Sequence, residues 1–190
     1  MTQTSSAPRT RNAVLTAISY DHAEARYLTS ALHAEQLDTY GFADDPFDTP
    51  ADHFAAPHGL FVVARVEGRP QALGCGGWRM TDPTTVEIKR MYVHPAARGL
   101  ALGSQILDLL EQQASECGAR RAILETGSRN AAALALYKKF GYTPIPSYIP
   151  GRQPSINRAM AKELPRVATA QDRDPVADGP LVGHRSRPGS

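Results

Sequence analysis

The segment from His94 to Gly103 most constrains what this chain can fold into. It follows a β-rich run, Val86–Val93, which Pro95 must end because proline cannot donate to a sheet ladder. It precedes a series of apolar residues at helical spacing, namely Leu102, Ile106, Leu109, Leu110, Ala114 and Cys117. Small side chains in such a loop expose backbone N–H groups, and a helix start carries partial positive charge. The sequence therefore predicts a strand–loop–helix unit that binds a phosphorylated ligand.

The loop sequence indicates which of the known phosphate-binding motifs this segment could be. It lacks both the G-x-x-x-x-G-K-[ST] pattern of nucleotide hydrolases and the three-glycine dinucleotide fingerprint. Residues 98–103, Arg-Gly-Leu-Ala-Leu-Gly, resemble the R/Q-x-x-G-x-G/A acyl-CoA signature of the GNAT N-acetyltransferase superfamily, with Ala101 where a glycine is usual. The methyl group of Ala101 is expected to crowd the pyrophosphate or to be accommodated by a small shift of the loop. On this motif alone, a solvated strand–helix connection remains an alternative.

A second motif supports the same resemblance. Ala122–Thr126 is predicted as a strand, and Asn130–Tyr142 as a helix closed by Gly141. The helix matches N-x-x-A-x-x-L-Y-x-x-x-G-[FY], the other signature half of the superfamily, at the expected distance. With both matches in order, the chain is identified as a member over about residues 13–164. The resemblance implies an α/β fold with flanking helices, a mixed and mostly antiparallel central sheet with a splayed parallel strand pair, and acetyl-CoA as the cofactor.

The pattern of apolar, polar and turn-forming residues predicts the remaining helices and strands and divides the chain into three regions. We expect a flexible tail over 1–12, one domain over 13–165 and a disordered tail over 166–190. A helix capped by Asp21 is predicted to run to about Leu37, and an irregular loop to span Tyr40–Pro57. The predicted strands are Ala13–Ser19, Leu60–Val66, Gln71–Met80, Thr84–Val93, Arg120–Thr126, Tyr142–Tyr148 and Ser155–Leu164. A helical crossover makes the fourth and fifth of these strands parallel.

Composition excludes several classes of protein. A formal net charge of +2, with no basic stripe interleaved with aromatics, predicts no nucleic-acid partner. Two cysteines and six scattered histidines provide neither a disulfide framework nor a metal set. The N-terminus lacks the apolar core of a secretory signal, and no run reaches membrane-spanning length. We therefore expect a cytoplasmic protein without a metal or a membrane partner. Many members of the superfamily are dimers, which leaves a homodimer open.

Two side chains are candidates for proton transfer. An alkylamine is a free base at pH 7 in only about one molecule per few thousand, so a base assists its attack on a thioester. The resemblance implies that Glu87 is this base, and the alternatives are that Glu87 pairs with Lys89 or faces solvent. The resemblance also implies that Tyr137 protonates the leaving thiolate, the alternative being a half-buried core tyrosine.

The resemblance further implies which residues hold acetyl-CoA. A bulge near the end of Met91–Val93 is expected to part this strand from its parallel neighbour, and the backbone of Met91 and Val93 to pair with the pantetheine arm. Asn130 is expected to contact the cofactor, although an asparagine at a helix start is also a good cap. The predicted cofactor residues are Met91, Tyr92, Val93, Arg98, Gly99, Leu100, Ala101, Leu102, Gly103, Ser104, Asn130, Ala133 and Tyr137.

The acceptor is the part of the reaction that the sequence constrains least. We expect Trp78, Arg79 and Tyr148 to wall its pocket together with the 40–57 loop. A cationic amine could be attracted by the acidic residues Asp44, Asp45, Asp48 and Asp52. A carboxylate could instead be clamped by the basic residues Arg79, Lys89 and Arg90. Either set could also be no more than a solvated surface. The prediction is an N-acetyltransferase for a small primary amine, whether amino-acid-like, polyamine or antibiotic. A protein lysine or N-terminal acetyltransferase and a non-catalytic acyl-CoA sensor are the alternatives.

Overall fold

The computed structural model describes residues 13–166, so the two predicted tails lie outside the described residues apart from Arg166. The strands are β1 (Ala13–Ala17), β2 (Gly59–Val66), β3 (Ala72–Asp82), β4 (Thr85–Val93), β5 (Arg121–Gly127), β6 (Thr143–Pro144) and β7 (Asn157–Glu163). The helices are α1 (Ala23–Tyr40), α2 (Leu102–Glu116) and α3 (Ala131–Lys139), with 3₁₀ turns at Pro46–Asp48, Ala51–Phe54 and Pro95–Ala97. Within residues 13–166, no helix combines the length and apolarity needed to cross a membrane.

The sheet has the order β1-β2-β3-β4-β5-β7-β6, and every pair is antiparallel except β4 with β5. This confirms the predicted mixed sheet, whose parallel pair is joined by the crossover helix α2. On one face, Ile106 and Leu110 of α2 pack against Leu124 together with residues of α3. On the other face, Leu28 of α1 packs against Phe61. Burying each such side chain stabilises the fold by about 1.5–3 kcal/mol, so two cores fix the sheet between the helices.

Several boundaries differ from the sequence prediction, and three of these differences have a local reason. α1 is capped by His22, whose Nδ1 accepts the N–H of Glu24 at 3.2 Å, and not by Asp21. The helix continues past Leu37 to Tyr40, and Gly41 ends it with a left-handed φ of 78°. The predicted strand Tyr142–Tyr148 shrinks to the two residues of β6, because proline cannot donate to the ladder and Pro144 and Pro146 fall within it.

The parallel pair opens at the carboxyl ends of its strands. β4 and β5 are in register only from Thr85 opposite Arg121 to Ile88 opposite Leu124. Beyond Ile88, Arg90 has a φ of 58° and the register with β3 shifts, which defines a bulge one residue before the predicted Met91–Val93 segment. β5 continues along β7 as far as Gly127. A gap therefore separates the end of β4 from the end of β5, and this gap positions the site.

Candidate active site

A cleft of about 690 Å³ extends through the gap between the splayed strands. The end of β4, the loop before α2 and one side of α3 line it, and α1 closes the opposite wall. Twelve of the thirteen predicted cofactor residues lie along this cleft; they are Met91, Tyr92, Val93, Arg98, Gly99, Ala101, Leu102, Gly103, Ser104, Asn130, Ala133 and Tyr137. Leu100 is the exception, because its side chain packs instead against the small core around Val66 and Leu73.

The loop before α2 presents backbone donors to this cleft. α1 and α3 each have a side chain that caps their first turn, whereas the N-cap of α2 is Ala101, which provides no side-chain cap. The first N–H groups of a helix have no intrahelical partner, so those of Leu102–Ser104 remain available. Arg98 donates through Nε to the carbonyl of Val93 at 3.2 Å, and its guanidinium also forms an ion pair with Glu35 of α1. Free amides beside a cationic side chain fit a diphosphate.

Ala101 holds a left-handed backbone conformation, with a φ of 61°. An L-residue with a Cβ atom is strained there by about 1–2 kcal/mol, and glycine is not. We therefore predict that Ala101→Gly raises the free energy of unfolding by about 0.5–1 kcal/mol and leaves CoA affinity equal or tighter. Denaturant unfolding and calorimetric titration measure the two effects. Weaker CoA binding in the variant would contradict the contact between this loop and the diphosphate.

Tyr137 lies where the cleft meets the core. α3 is capped by Asn130, whose Oδ1 accepts the N–H of Ala133 at 3.1 Å, so the capping role left open for Asn130 is present. Tyr137 is 5% exposed and packs edge-to-face on Tyr142 with ring centroids 5.7 Å apart. Burial raises the pKa of the Tyr137 phenol well above its usual range. The hydroxyl is therefore protonated at neutral pH, which is the state that an acid requires.

A second, smaller cavity of about 120 Å³ adjoins the cleft. The two share Leu32, Gln36 and Tyr40 of α1 as a common wall. The Tyr40 hydroxyl accepts the backbone N–H of Arg129 at 3.0 Å, and a Cβ atom added to Gly127 would stand 2.1 Å from that hydroxyl oxygen. Only a glycine at the end of β5 lets Tyr40 lie so close. Tyr40 therefore divides the cleft from the small cavity at the point where the strands part.

Glu87 lies at the wall of the small cavity with both carboxylate oxygens engaged. Arg79 donates to Oε2 from Nε at 2.9 Å and from Nη2 at 2.8 Å. Lys89 Nζ donates to Oε1 at 3.3 Å, and the Tyr148 hydroxyl donates to the same oxygen at 3.1 Å. The carboxylate is buried, so these three donors compensate its lost hydration. This arrangement matches the alternative in which Glu87 pairs with Lys89.

The three residues predicted to line the acceptor pocket do not lie together in the structure. Arg79 and Tyr148 both reach the small cavity through Glu87. Trp78 does not: it is 1% exposed and packs with the core under α2. Consecutive strand residues point to opposite faces of a sheet, so Trp78 and Arg79 cannot both face one pocket.

Glu125 is a site residue that the sequence analysis missed. It lies on β5 just past the last pair with β4 and lines the small cavity. Arg152 Nε approaches its Oε1 to 3.1 Å, and the same guanidinium pairs with Asp44 in the loop after α1. Burial raises the pKa of Glu125, and Arg152 opposes part of that rise. The sequence did place an acidic residue near the end of a predicted strand. It could not show that Glu125 lines a pocket, because that pocket is completed by two loops that are distant in sequence.

Comparison with known proteins agrees with this geometry. The model of the acetyltransferase (GNAT) family matches residues 26–142. An IAA acetyltransferase of Azospirillum brasilense is 33% identical over 137 residues, which cover 68% of this chain and 87% of that protein. A solved protein of Klebsiella pneumoniae, classed as an acyl-CoA N-acyltransferase, superposes with a TM-score of 0.68 at 30% identity, covering 80% of this chain and 97% of that one. A Salmonella typhimurium protein solved with acetyl-CoA shares the fold, with a TM-score of 0.58 at 24% identity over 82% of this chain and 96% of that one.

The fold and the similarity to these proteins identify the chain as an acyltransferase. The chain belongs to the GNAT acetyltransferase family, whose members use acetyl-CoA.

Proposed function

We propose that this enzyme transfers the acetyl group of acetyl-CoA to the primary amine of a small molecule. The small cavity of about 120 Å³ beside the cleft carries this proposal, because its size suits a small amine better than an extended peptide. Its roof is the loop after α1, which Arg152 holds through Asp44. Arg90 also holds the roof by donating to the carbonyls of Asp44 at 3.3 Å and Asp45 at 3.4 Å. A protein acetyltransferase needs an open groove at this place.

The cleft residues bind and orient the donor. The amides of Leu102–Ser104 and the side chain of Arg98 hold the diphosphate, and the backbone of Met91 and Val93 pairs with the pantetheine arm. Each favourable charge at a helix start contributes about 0.3–1 kcal/mol, so affinity depends on several donors together. Holding amine and thioester in contact can lower the barrier by up to roughly 7–11 kcal/mol. Positioning therefore contributes more than proton transfer.

Two side chains move protons in this proposal. When bound, acetyl-CoA supplies the thioester carbonyl that the amine attacks. Glu125 takes a proton from the entering ammonium, and its raised pKa strengthens it as a base. Tyr137 gives its hydroxyl proton to the departing sulfur, and the second proton that the nitrogen loses restores the phenol. The products are a neutral amide, a thiol and one proton released from Glu125.

Glu125 is a better base than Glu87 on geometric grounds. Both are carboxylates in the small cavity. The oxygens of Glu87 already accept from two cations and a phenol, whereas Glu125 pairs with one guanidinium and accepts one long hydrogen bond from Ser147 at 3.4 Å. A base needs a free lone pair in reach of the amine. The assignment of Glu87 as the base stays a prediction, and pH profiles of variants at the two carboxylates distinguish it from Glu125.

The experiment that tests the function measures thiol release from acetyl-CoA with a panel of small amines, polyamines, aminoglycosides and lysine-containing peptides. We expect turnover with small primary amines and none above background with peptides. Turnover with peptides alone would replace the proposal by a protein acetyltransferase. CoA binding without turnover on any amine would indicate a sensor.

A further inference from the structure

Three basic side chains near the acceptor cavity differ in how many of their hydrogen-bond donors have no partner. Arg79 is bound twice to Glu87 and lies 3.1 Å from His53 Nδ1 through its Nη1. Arg90 points to the roof loop, where it donates to two carbonyls and to the hydroxyl of Thr49 at 3.1 Å. Lys89 forms a single hydrogen bond to Glu87 among the described residues, although an ammonium has three donors. Lys89 is therefore a cation of the cavity with two unused donors, while the Nε atoms of Arg90 and Arg152 are each buried without a hydrogen-bond partner in the part of the chain that the structure describes.

The charges around the cavity do not balance. Its lining and the groups paired with that lining contain four cationic side chains, Arg79, Lys89, Arg90 and Arg152, against three carboxylates, Asp44, Glu87 and Glu125. The partners of Arg90 are neutral oxygens, so no carboxylate compensates it. Burial lowers the pKa of Lys89, with Glu87 opposing, as expected for a cation short of partners. A ligand carboxylate would give this locally uncompensated cationic charge a partner.

The acidic residues of the roof loop do not provide the opposite site. Asp44 is bound to Arg152, and Asp45 caps its 3₁₀ turn by accepting the N–H of Phe47 at 2.8 Å. Asp48 and Asp52 do not line the cavity. A cationic polyamine would thus meet no free carboxylate on the roof. The structure favours the carboxylate clamp over the cation-binding alternative.

We propose that the acceptor carries a carboxylate next to its primary amine, that Lys89 binds this carboxylate, and that Glu87 is a positioning residue which holds the Lys89 ammonium. Glu125 faces Lys89 from the other splayed strand, so a zwitterion bridges the gap with its ammonium on Glu125 and its carboxylate on Lys89. A chain with both groups on one carbon, an α-amino acid, matches so small a cavity. This inference rests on the proposed function and names its substrate class.

The test compares acids with amines that lack only the carboxylate. The pairs are L-alanine with ethylamine, L-leucine with 3-methylbutylamine and L-methionine with 3-(methylthio)propylamine, each assayed by thiol release from acetyl-CoA. We expect the wild type to prefer the best acid over its amine by about 10- to 100-fold in kcat/KM, the effect of one hydrogen bond between charged groups. Lys89→Met should raise KM for the acid by a similar factor and lower the ratio of kcat/KM for the acid to kcat/KM for the amine accordingly.

Control variants separate this role from a folding defect. Lys139→Met makes the same change on the exposed side of α3 and should keep the preference for the acid. Lys89→Arg, which keeps the charge, should restore part of the preference. Thermal unfolding and CoA titration check that each variant is folded. Turnover of both members of each pair without preference, or a preference that survives in folded Lys89→Met, would overturn the carboxylate site and leave the proposed function standing. Absence of turnover on every amine by the wild type would overturn both.

Discussion

Replacing Tyr137 by phenylalanine should lower kcat by about 10²–10⁴-fold, the usual contribution of a positioned acid, and change CoA affinity by less than about threefold. The substitution removes only the hydroxyl of a tyrosine that lines the cleft and belongs to the core. The ring stays in place against Tyr142, so the fold and the cleft are preserved. Steady-state kinetics with the best amine of the panel, together with calorimetric titration of CoA, measures both quantities.

Tyr142→Phe provides the matched control for this variant. Tyr142 is buried in the same core but does not line the cleft. The same chemical change at Tyr142 should therefore leave kcat within about threefold of wild type. Full turnover in Tyr137→Phe would show that the thiolate leaves without this proton.

Glu125→Gln should lower kcat/KM by about 10²–10⁴-fold at neutral pH and remove the acidic limb of its pH profile. In the wild type, activity should fall as the pH drops through the pKa of Glu125, because the protonated carboxyl cannot accept the ammonium proton. Burial raises that pKa, so the limb should lie at a higher pH than for an ordinary glutamate. The measurement is kcat/KM against pH with a saturating donor.

Glu87→Gln is the companion variant because it makes the same change in the other carboxylate of the cavity. A positioning role predicts a raised KM for the amino acid, while the acidic limb of the pH profile remains. Loss of the limb in Glu87→Gln and its retention in Glu125→Gln would reverse the two assignments and support the base predicted from the sequence.

The sequence was sufficient for the parts of the fold that depend on local patterning. The strand, the small-residue loop and the apolar stripe of α2 follow directly in the chain, and their order required a parallel pair with a helical crossover. The bulge was less accessible to prediction. It lies at Arg90, a non-glycine residue with positive φ, and no pattern of neighbouring residues requires that conformation.

The acceptor side depends on contacts between residues that are distant in sequence. Whether Trp78 or Arg79 faces the pocket depends on the strand register, which a run of apolar and small residues does not fix. Glu125 acquires its environment from Arg152, which lies in the loop before β7, and from the roof loop after α1. Pairing between Glu87 and Lys89 was foreseeable because residues two apart on a strand share a face.

In the proposed enzyme, the backbone amides of Leu102–Ser104 hold the diphosphate of coenzyme A. Calorimetric titration with CoA, dephospho-CoA and pantetheine tests this claim most directly, because only pantetheine lacks the diphosphate. Dephospho-CoA keeps the diphosphate, so we predict that it binds within about tenfold of CoA. Pantetheine should bind at least about 100-fold more weakly than CoA, because two hydrogen bonds to a charged group contribute about 3–6 kcal/mol. Equal binding of pantetheine and CoA, or no heat with CoA, would contradict the account.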